Sequence, residues 1–174
     1  MEGGEAVNLE VIPIDPSEDV VFDIRATYQC RTCSHYGKCH TCPPEIPPME
    51  YWQKLVRSYT KGELCISIWN YTSRSFDDVR YNSAKKLHEH LIQREKECFD
   101  KNQYWAVSLV GGSCRLCPEG CGDSCRFPQK ARAAMEGAGI DVIDTCARAG
   151  YALPKYPHPN NGGRLARVGL LLVK

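Results

Sequence analysis

Eleven cysteines are the residues in this chain whose type and spacing could do chemistry, and eight of them fall into two short groups. The first group lies in "CRTCSHYGKCHTCPP" and comprises Cys30, Cys33, Cys39 and Cys42. The second lies in "GGSCRLCPEGCGDSCRFP" and comprises Cys114, Cys117, Cys121 and Cys125. Each group contains a Cys-x2-Cys pair, a spacing that lets two thiolates reach one metal centre. The spacing therefore predicts two metal-binding cysteine loops, at 30–44 and 114–128.

Disulfide bonds are the first alternative use for these thiols. A chain of 174 residues with 43% hydrophobic residues can bury a core without covalent staples, and eleven is an odd number of cysteines. The acidic start, "MEGGEAVNLEVIPIDPSEDV", has no basic segment followed by an apolar one, so it does not read as a signal peptide. We therefore expect a cytoplasmic protein, in which stable disulfides are rare and metal binding is the simplest role for the thiols.

The spacing within each group favours iron over zinc. Zinc sites usually separate two cysteine pairs by a dozen or more residues, whereas ferredoxin loops crowd their cysteines into a Cys-x2-Cys-x2-Cys-x3-Cys-Pro run. The second group is a looser version of that run with Pro128 behind it, and the first ends in Pro43 and Pro44. Glycines beside the second group allow close backbone approach to a bulky cluster. All eight cysteines are therefore candidate ligands of iron–sulfur clusters of [4Fe-4S] type, with zinc as the alternative.

Ligand exchange between the two groups stays open at this point. Cys39 and Cys42 form a second Cys-x2-Cys pair, which favours Cys39 as a ligand, but Cys39 could also be a bystander to a site completed by the second group. His35 and His40 could replace a cysteine, as histidine does in some clusters, or they could be ordinary polar loop residues.

The other three cysteines lie inside predicted secondary structure. Cys98 continues the apolar face of a long predicted helix and Cys65 lies in a predicted strand, so both read as small buried hydrophobic residues. Cys146 follows a predicted strand end, where a ligand or reactive role remains open beside a structural one.

The rest of the pattern predicts the elements that must position these loops. Strands are predicted at 8–14, 63–71, 104–112, 140–144, around 151–155 and at 164–174, and helices at 48–59, 75–101 and 128–139, with a helical turn at 145–151. The sequence Asn-Asn-Gly-Gly favours a hairpin before the last strand. We expect an α/β or α+β fold, with residues 1–174 forming a single metal-binding domain. It would have a mixed sheet with helices packed on it.

The net charge and the hydropathy of the chain argue against several classes of binding partner. The net charge is +1, from 22 basic and 21 acidic residues, so no basic excess indicates nucleic acid or an anionic membrane surface. No stretch approaches about 18 continuous apolar residues, so no membrane-spanning helix is expected.

Taken together, "CRTCSHYGKCHTCPP", "GGSCRLCPEGCGDSCRFPQKARAAMEGAGIDV" and a final apolar strand resemble the predicted metal-binding proteins known as domain of unknown function 2284. The resemblance runs from about residue 25 to the end. Its most specific parts are the Cys-Pro-Pro end of the first group and the second group together with the "MEGAGIDV" segment behind it. It implies a small cytoplasmic protein of an anaerobic prokaryote carrying iron–sulfur centres. It also implies a first group of three cysteines, Cys30, Cys33 and Cys42, to which Cys39 is an addition.

These observations predict an iron–sulfur protein with one or two cubane-type clusters. It would act in electron transfer with a redox protein partner, or as the redox component of a larger enzyme. A zinc-stabilised interaction module is one alternative. Another is an enzyme that binds substrate at an open cluster iron. The loop with Tyr156, His158 and Asn160 would then form a lid over a small pocket, although a plain proline-rich turn is the simpler interpretation of that loop. No acid–base pair, phosphate loop or nucleophile–histidine arrangement emerges, so the sequence names no substrate and no oligomeric state.

Overall fold

A computed structural model describes residues 6–155 and 160–174 and contains a four-stranded sheet with helices on both faces. The strands are β1 (Ala6–Ile14), β2 (Lys61–Tyr71), β3 (Val107–Val110) and β4 (Gly163–Val173). The helices are α1 (Pro16–Asp19), α2 (Ile24–Cys30), α3 (Met49–Arg57), α4 (Phe76–Asp100) and α5 (Val142–Arg148). The strand order is β1-β2-β4-β3, and every strand pair is antiparallel.

The central strand β2 is buried on both faces, because successive side chains of a strand point to opposite sides of the sheet. Leu64, Ile66 and Ile68 enter the main core, which also contains Trp52 and Val56 of α3. The intervening side chains of β2 face α4. A strand covered on both faces reads as a nearly continuous apolar run, which explains the sequence "ELCISIW".

Helix α4 packs against the second face of the sheet. Leu87, Leu91 and Cys98 of α4 form an apolar cluster with Cys65 of β2. Gly169 of β4 permits this close approach, because a Cβ at that position would lie 2.5 Å from the Cδ1 of Leu91. The amphipathic pattern read from the sequence therefore identifies the face of α4 that contacts the sheet.

The predicted fold class, α/β or α+β, is confirmed, but the sheet is entirely antiparallel and not mixed. The strand–helix–strand unit predicted over 63–111 exists as β2–α4–β3, and its two strands run in the same direction. They are not neighbours, because the C-terminal strand β4 lies between them and pairs antiparallel with both. The position of β4 in the sheet order depends on pairing between distant segments, which local sequence patterns do not specify.

The helix predicted over 128–139 is absent, despite its alanines. The backbone there makes long-range hydrogen bonds instead: the N–H of Ala134 donates to the carbonyl of Thr41 (2.9 Å) and that of Met135 to Val110 (2.8 Å). Met135 is fully buried in the main core. Tertiary contacts to β3 and the first cysteine loop therefore override the helical preference of this segment.

The strand predicted at 140–144 is also wrong. Ile140 makes a single bridge to Phe22, and α5 begins two residues later. Asp141 caps this helix, with its side chain accepting a hydrogen bond from the N–H of Asp144 (3.0 Å). The helical turn predicted at 145–151 is the second half of α5. The short helices α1 and α2 were not predicted at all.

The hairpin strand predicted around 151–155 is wrong as well, since those residues carry no strand. Strand β4 pairs instead with β2 and β3. Tyr156 and His158 of the predicted lid lie outside the described residues, and Asn160 lies in a turn. Within the described part of the chain, no helix has both the length and the apolar character needed to cross a membrane.

Candidate metal centre

The second cysteine loop leaves the sheet directly at the end of β3. The N–H of Gly111 donates to the carbonyl of Val168 (2.8 Å), and a Cβ at Gly111 would lie only 2.4 Å from that oxygen. At the next residue, the N–H of Gly112 donates to the Glu136 carboxylate (2.9 Å). Glycine at 111 is therefore required by close backbone approach, and the loop starts from a fixed position.

All four cysteines of the second group line one small pocket that is partly open to solvent. Its apolar walls are Leu116, Phe127 and Ala131. His40 and Thr41 of the first cysteine loop also line it, so the pocket is built from both loops. A pocket lined by four cysteines suits a group held by sulfur.

The first cysteine loop begins at the end of α2, which ends at Cys30. Each Cys-x2-Cys pair closes a turn: the N–H of Cys33 donates to the carbonyl of Cys30, and the N–H of Cys42 to that of Cys39, both at 3.0 Å. Cys33 is exposed and Cys30 is half-buried, whereas Cys39 and Cys42 are only 4% and 8% exposed. The loop therefore extends from the protein surface to the interior.

Cys39 joins the two cysteine groups. Its Sγ lies 3.8 Å from the Sγ of Cys121, although 82 residues separate the two in the chain. The adjacent His40 Nε2 donates to the carbonyl of Gly122 (2.9 Å). Cys39 and Cys42 also form a buried cluster that Cys114 contacts. Thiols of both groups thus meet in one region.

The two candidate histidines bind the second cysteine loop through their Nε2 atoms. His35 Nε2 accepts a hydrogen bond from Nη2 of Arg115 (3.0 Å), and His40 Nε2 bonds the Gly122 carbonyl. Both therefore connect the loops in this structure. Their possible role as substitute ligands stays a prediction.

The two thiols of the buried pair Cys39 and Cys42 have pKa values shifted in opposite directions. A hydrogen bond from Cys42 is the main cause that lowers the pKa of Cys39, and Thr41 and Cys121 act in the same direction against burial. The same Cys39–Cys42 bond, together with burial, raises the pKa of Cys42. Cys39 is therefore the thiolate of the pair, and the thiolate is the form of cysteine that binds metals.

Burial raises the pKa of three other thiols in the two groups, because removal from water disfavours the charged thiolate. Burial raises the pKa of Cys114 to about 11 and is also the first cause of the raised pKa of Cys121. Burial, followed by the Glu136 carboxylate, raises the pKa of Cys30. Metal binding at these positions would have to displace protons.

The spacing of the thiols does not match a single metal ion. Among the described residues, no group of three or more Cys, His, Asp or Glu side chains converges closely enough to hold one. Ligands of a cubane-type cluster bind different iron atoms and stand further apart than the ligands of one tetrahedral ion. The donors that the two cysteine groups offer are sulfurs.

Glu136 was not singled out in the sequence, yet its carboxylate lies between the two loops. It accepts the N–H of Gly112 and influences Cys30 electrostatically. The next residue, Gly137, packs so closely that a Cβ there would lie 2.8 Å from the Cδ of Pro43. No local signal marks this role, because it arises from contacts between distant segments.

The three cysteines outside the groups are buried in cores. The predicted burial of Cys65 and Cys98 is confirmed, since both pack between α4 and the sheet. Cys146 is fully buried in the main core, and burial raises its pKa to about 12. A buried thiol with a raised pKa is unreactive, so the structural reading of Cys146 is favoured.

Comparison with known proteins identifies a family for this chain. The model of a family described as predicted metal-binding protein (DUF2284) matches residues 14–173. The match includes both cysteine loops and all the strands except most of β1. No curated protein and no solved structure matches the chain. The chain therefore belongs to the predicted metal-binding family called domain of unknown function 2284.

Proposed function

We propose that this protein holds two neighbouring cubane-type iron–sulfur clusters, one on each cysteine loop. It would transfer electrons in the cytoplasm, alone or as the redox component of a larger enzyme. The observation that carries this proposal is the 3.8 Å contact between the Sγ atoms of Cys39 and Cys121, which joins the two groups. When bound, each cluster supplies a one-electron redox centre.

The choice of iron–sulfur over zinc is supported by the donors and their surroundings. Four cysteines of the second group lie within twelve residues and line a single largely apolar pocket, a crowded spacing closer to that of ferredoxin loops than to the separated cysteine pairs of zinc sites. Membership of a predicted metal-binding family supports a metal but does not identify it.

The arrangement of two centres rather than one is supported by the Cys39–Cys121 contact. The contact brings one thiol of each group together at 3.8 Å, a distance that two thiolates of adjacent clusters or two thiolates on one tetrahedral ion can adopt, and metal analysis separates the two readings. In this proposal Cys30, Cys33, Cys39 and Cys42 hold the first cluster, and Cys114, Cys117, Cys121 and Cys125 hold the second. Electrons would pass between the clusters through the contact.

Solvent exposure provides routes for electrons to enter and leave. Cys33 of the first group and Cys121 of the second are exposed, whereas Cys39 and Cys42 between them are buried. A protein partner could therefore approach either centre, while the intervening sulfurs are shielded from water. We propose a redox protein as that partner.

The test is metal and sulfide analysis of the protein purified without oxygen, combined with absorption and electron paramagnetic resonance spectra after reduction. We expect a brown protein with about eight iron atoms and matching sulfide per chain, and a reduced spectrum broadened by interaction between two spins. A colourless protein with stoichiometric zinc would contradict the proposal. About four iron atoms and an unbroadened spectrum would contradict the second cluster.

A further inference from the structure

Three side chains of α4 lie at intervals of seven residues: Tyr81, His88 and Glu95. Seven residues make nearly two full helical turns, so positions at this interval share one face with a drift of only about 20° per step. We call these three residues the contact face of α4. It differs from the apolar face formed by Leu87 and Leu91, which packs on the sheet.

The first member of the contact face binds the start of the second cysteine loop. The Tyr81 hydroxyl donates to the carbonyl of Arg115 at 3.3 Å. Arg115 directly follows Cys114, the first thiol of the group. This end of the loop is therefore attached to α4 in addition to its connection to β3.

The second member binds the chain just beyond the loop. His88 is 1% exposed, and its Nε2 donates to the carbonyl of Lys130 at 2.7 Å. A buried imidazole with one direct carbonyl partner is a strong positional constraint, because loss of the bond would leave the buried ring nitrogen without a partner.

The third member makes the most bonds. The Glu95 carboxylate accepts from Nε (2.7 Å) and Nη2 (2.5 Å) of Arg132. It also accepts from the N–H and the hydroxyl of Ser108 in β3, at 2.7 Å and 2.5 Å. The Glu95 and Arg132 side chains are only 13% and 18% exposed, so this bidentate pair is well shielded from solvent. It connects the far end of the loop to the strand from which the loop starts.

We infer that the contact face of α4 holds both ends of the second cysteine loop and so shapes the second metal centre before metal binds. All four thiols of that group lie between or beside the attached positions 115 and 130. Fixed ends reduce the entropy that the loop would otherwise lose on binding. Within the described part of the chain, no hydrogen bond joins α4 to residues 30–44, so the effect reaches the first centre only through the contacts between the two loops. This inference rests on the proposed iron–sulfur function.

The experiment compares iron release to a chelator from the wild-type holoprotein and from variants, following the spectroscopic signal of each centre. His88→Leu removes the donor and keeps the bulk, and Tyr81→Phe removes only a hydroxyl. We expect iron to leave the second centre about tenfold faster in His88→Leu, the factor that corresponds to losing about 1.4 kcal/mol. Tyr81→Phe should show a smaller change in the same direction. Release from the first centre should change less than release from the second, because α4 is hydrogen-bonded to the second loop and its ends.

Two controls separate positioning from general stability. His88→Gln places an amide donor near the position of Nε2 and should restore the wild-type rate. Leu87→Val weakens packing of α4 on the sheet and should lower the melting temperature without accelerating iron release. Wild-type release rates in both His88→Leu and Tyr81→Phe would overturn the inference, and so would equal acceleration in Leu87→Val.

A wild-type protein without iron would contradict the proposed function and leave the inference open to a separate measurement. Amide hydrogen exchange of residues 113–130 in the metal-free protein reports the shape of the loop directly. Faster exchange there in His88→Leu than in Leu87→Val would support attachment by α4. Equal exchange in wild type and His88→Leu would overturn it.

Discussion

Cys39 is the residue at which chain spacing and family resemblance disagree. Spacing makes it half of a Cys-x2-Cys pair, whereas the resemblance requires only Cys30, Cys33 and Cys42. The structure places its sulfur against Cys121 and within 3.2 Å of the Thr41 hydroxyl. These contacts are compatible with Cys39 as a metal ligand beside either cysteine loop. That Cys39 is a ligand stays a prediction.

Replacement of Cys39 tests that role. We expect Cys39→Ala and Cys39→Ser to lose about half of the iron, because one thiolate of the first cluster is missing. Iron counting and electron paramagnetic resonance of the reduced protein measure the effect. An unchanged iron count and spectrum would make Cys39 a bystander.

Cysteines of the second group should behave differently from buried core cysteines. We expect Cys117→Ala and Cys125→Ala to lose iron, because both thiols line the pocket. Cys98→Ala, the matched control, should keep its iron and lower the free energy of unfolding by about 1 kcal/mol, a packing effect. Equal iron loss in Cys98→Ala would contradict its assignment to the core.

The buried ring of His88 predicts a pH dependence of stability. Burial lowers its pKa, the hydrogen bond to Lys130 opposes this, and the nearby charges are Arg132, which lowers the pKa, and Glu95 and Glu89, which raise it. Since the unfolded pKa is about 6.5, the neutral ring contributes fully above that pH. Its contribution is lost as the pH falls below 6.5 towards the folded pKa.

His88→Gln removes this titration and keeps a donor for the carbonyl. Unfolding by urea should therefore show a smaller loss of stability between about pH 7 and pH 5 in the variant than in the wild type. Parallel pH profiles of the two proteins would show that the folded pKa of His88 is not lowered.

At the scale of elements, the junction between β3 and the second cysteine loop depends on Gly111. A side chain there would meet the backbone oxygen of Val168 at 2.4 Å, and backbone cannot move aside as a flexible side chain can. We expect Gly111→Ala to lower the free energy of unfolding by about 1–3 kcal/mol, as overpacking does. Thermal unfolding followed by circular dichroism measures the change.

Gly122 provides the control for this prediction, because a Cβ there meets nothing closer than 3.6 Å, on the Arg126 side chain. Gly122→Ala should change stability by less than about 0.5 kcal/mol, as at an ordinary surface position. Similar losses in the two alanine variants would show that close backbone approach is not the reason for glycine at 111.

For the whole molecule, the sheet and its cores are built without the metal loops. The main core consists of β2, β4, α3 and their neighbours, while Cys39, Cys42, Ala134 and Cys114 form a separate cluster. The structure thus divides into a scaffold held by apolar packing and two loops attached to it. Metal binding should stabilise the loops far more than the sheet.

Removal of metal tests this division. We expect the chelated protein to keep the far-ultraviolet circular dichroism of its sheet and α4, while amide hydrogen exchange accelerates in residues 30–44 and 114–128. Exchange in β2 should change little, because its strand is buried on both faces. Loss of all ordered structure on chelation would show that the scaffold depends on metal.

Local patterns in the sequence are sufficient to predict the long secondary-structure elements and the candidate metal ligands. Strand β2 and helix α4 have recognisable apolar patterns over 11 and 25 residues, and their predicted ranges agree with the structure within a few residues. The two Cys-x2-Cys groups could be recognised because ligand spacing along the chain is itself the chemical signal. Burial of Cys65 and Cys98 followed from the same periodicity.

Only the tertiary structure decided how these pieces meet. Three features join segments that are far apart in the chain. They are the insertion of β4 between β2 and β3, the non-helical path of residues 128–139 and the contact of Cys39 with Cys121. Each depends on competition among many possible long-range pairings, and a local preference such as that of alanine for helix is weak beside buried hydrogen bonds and packing. The sequence therefore determined which residues could bind metal, and the fold determined which of them face one another.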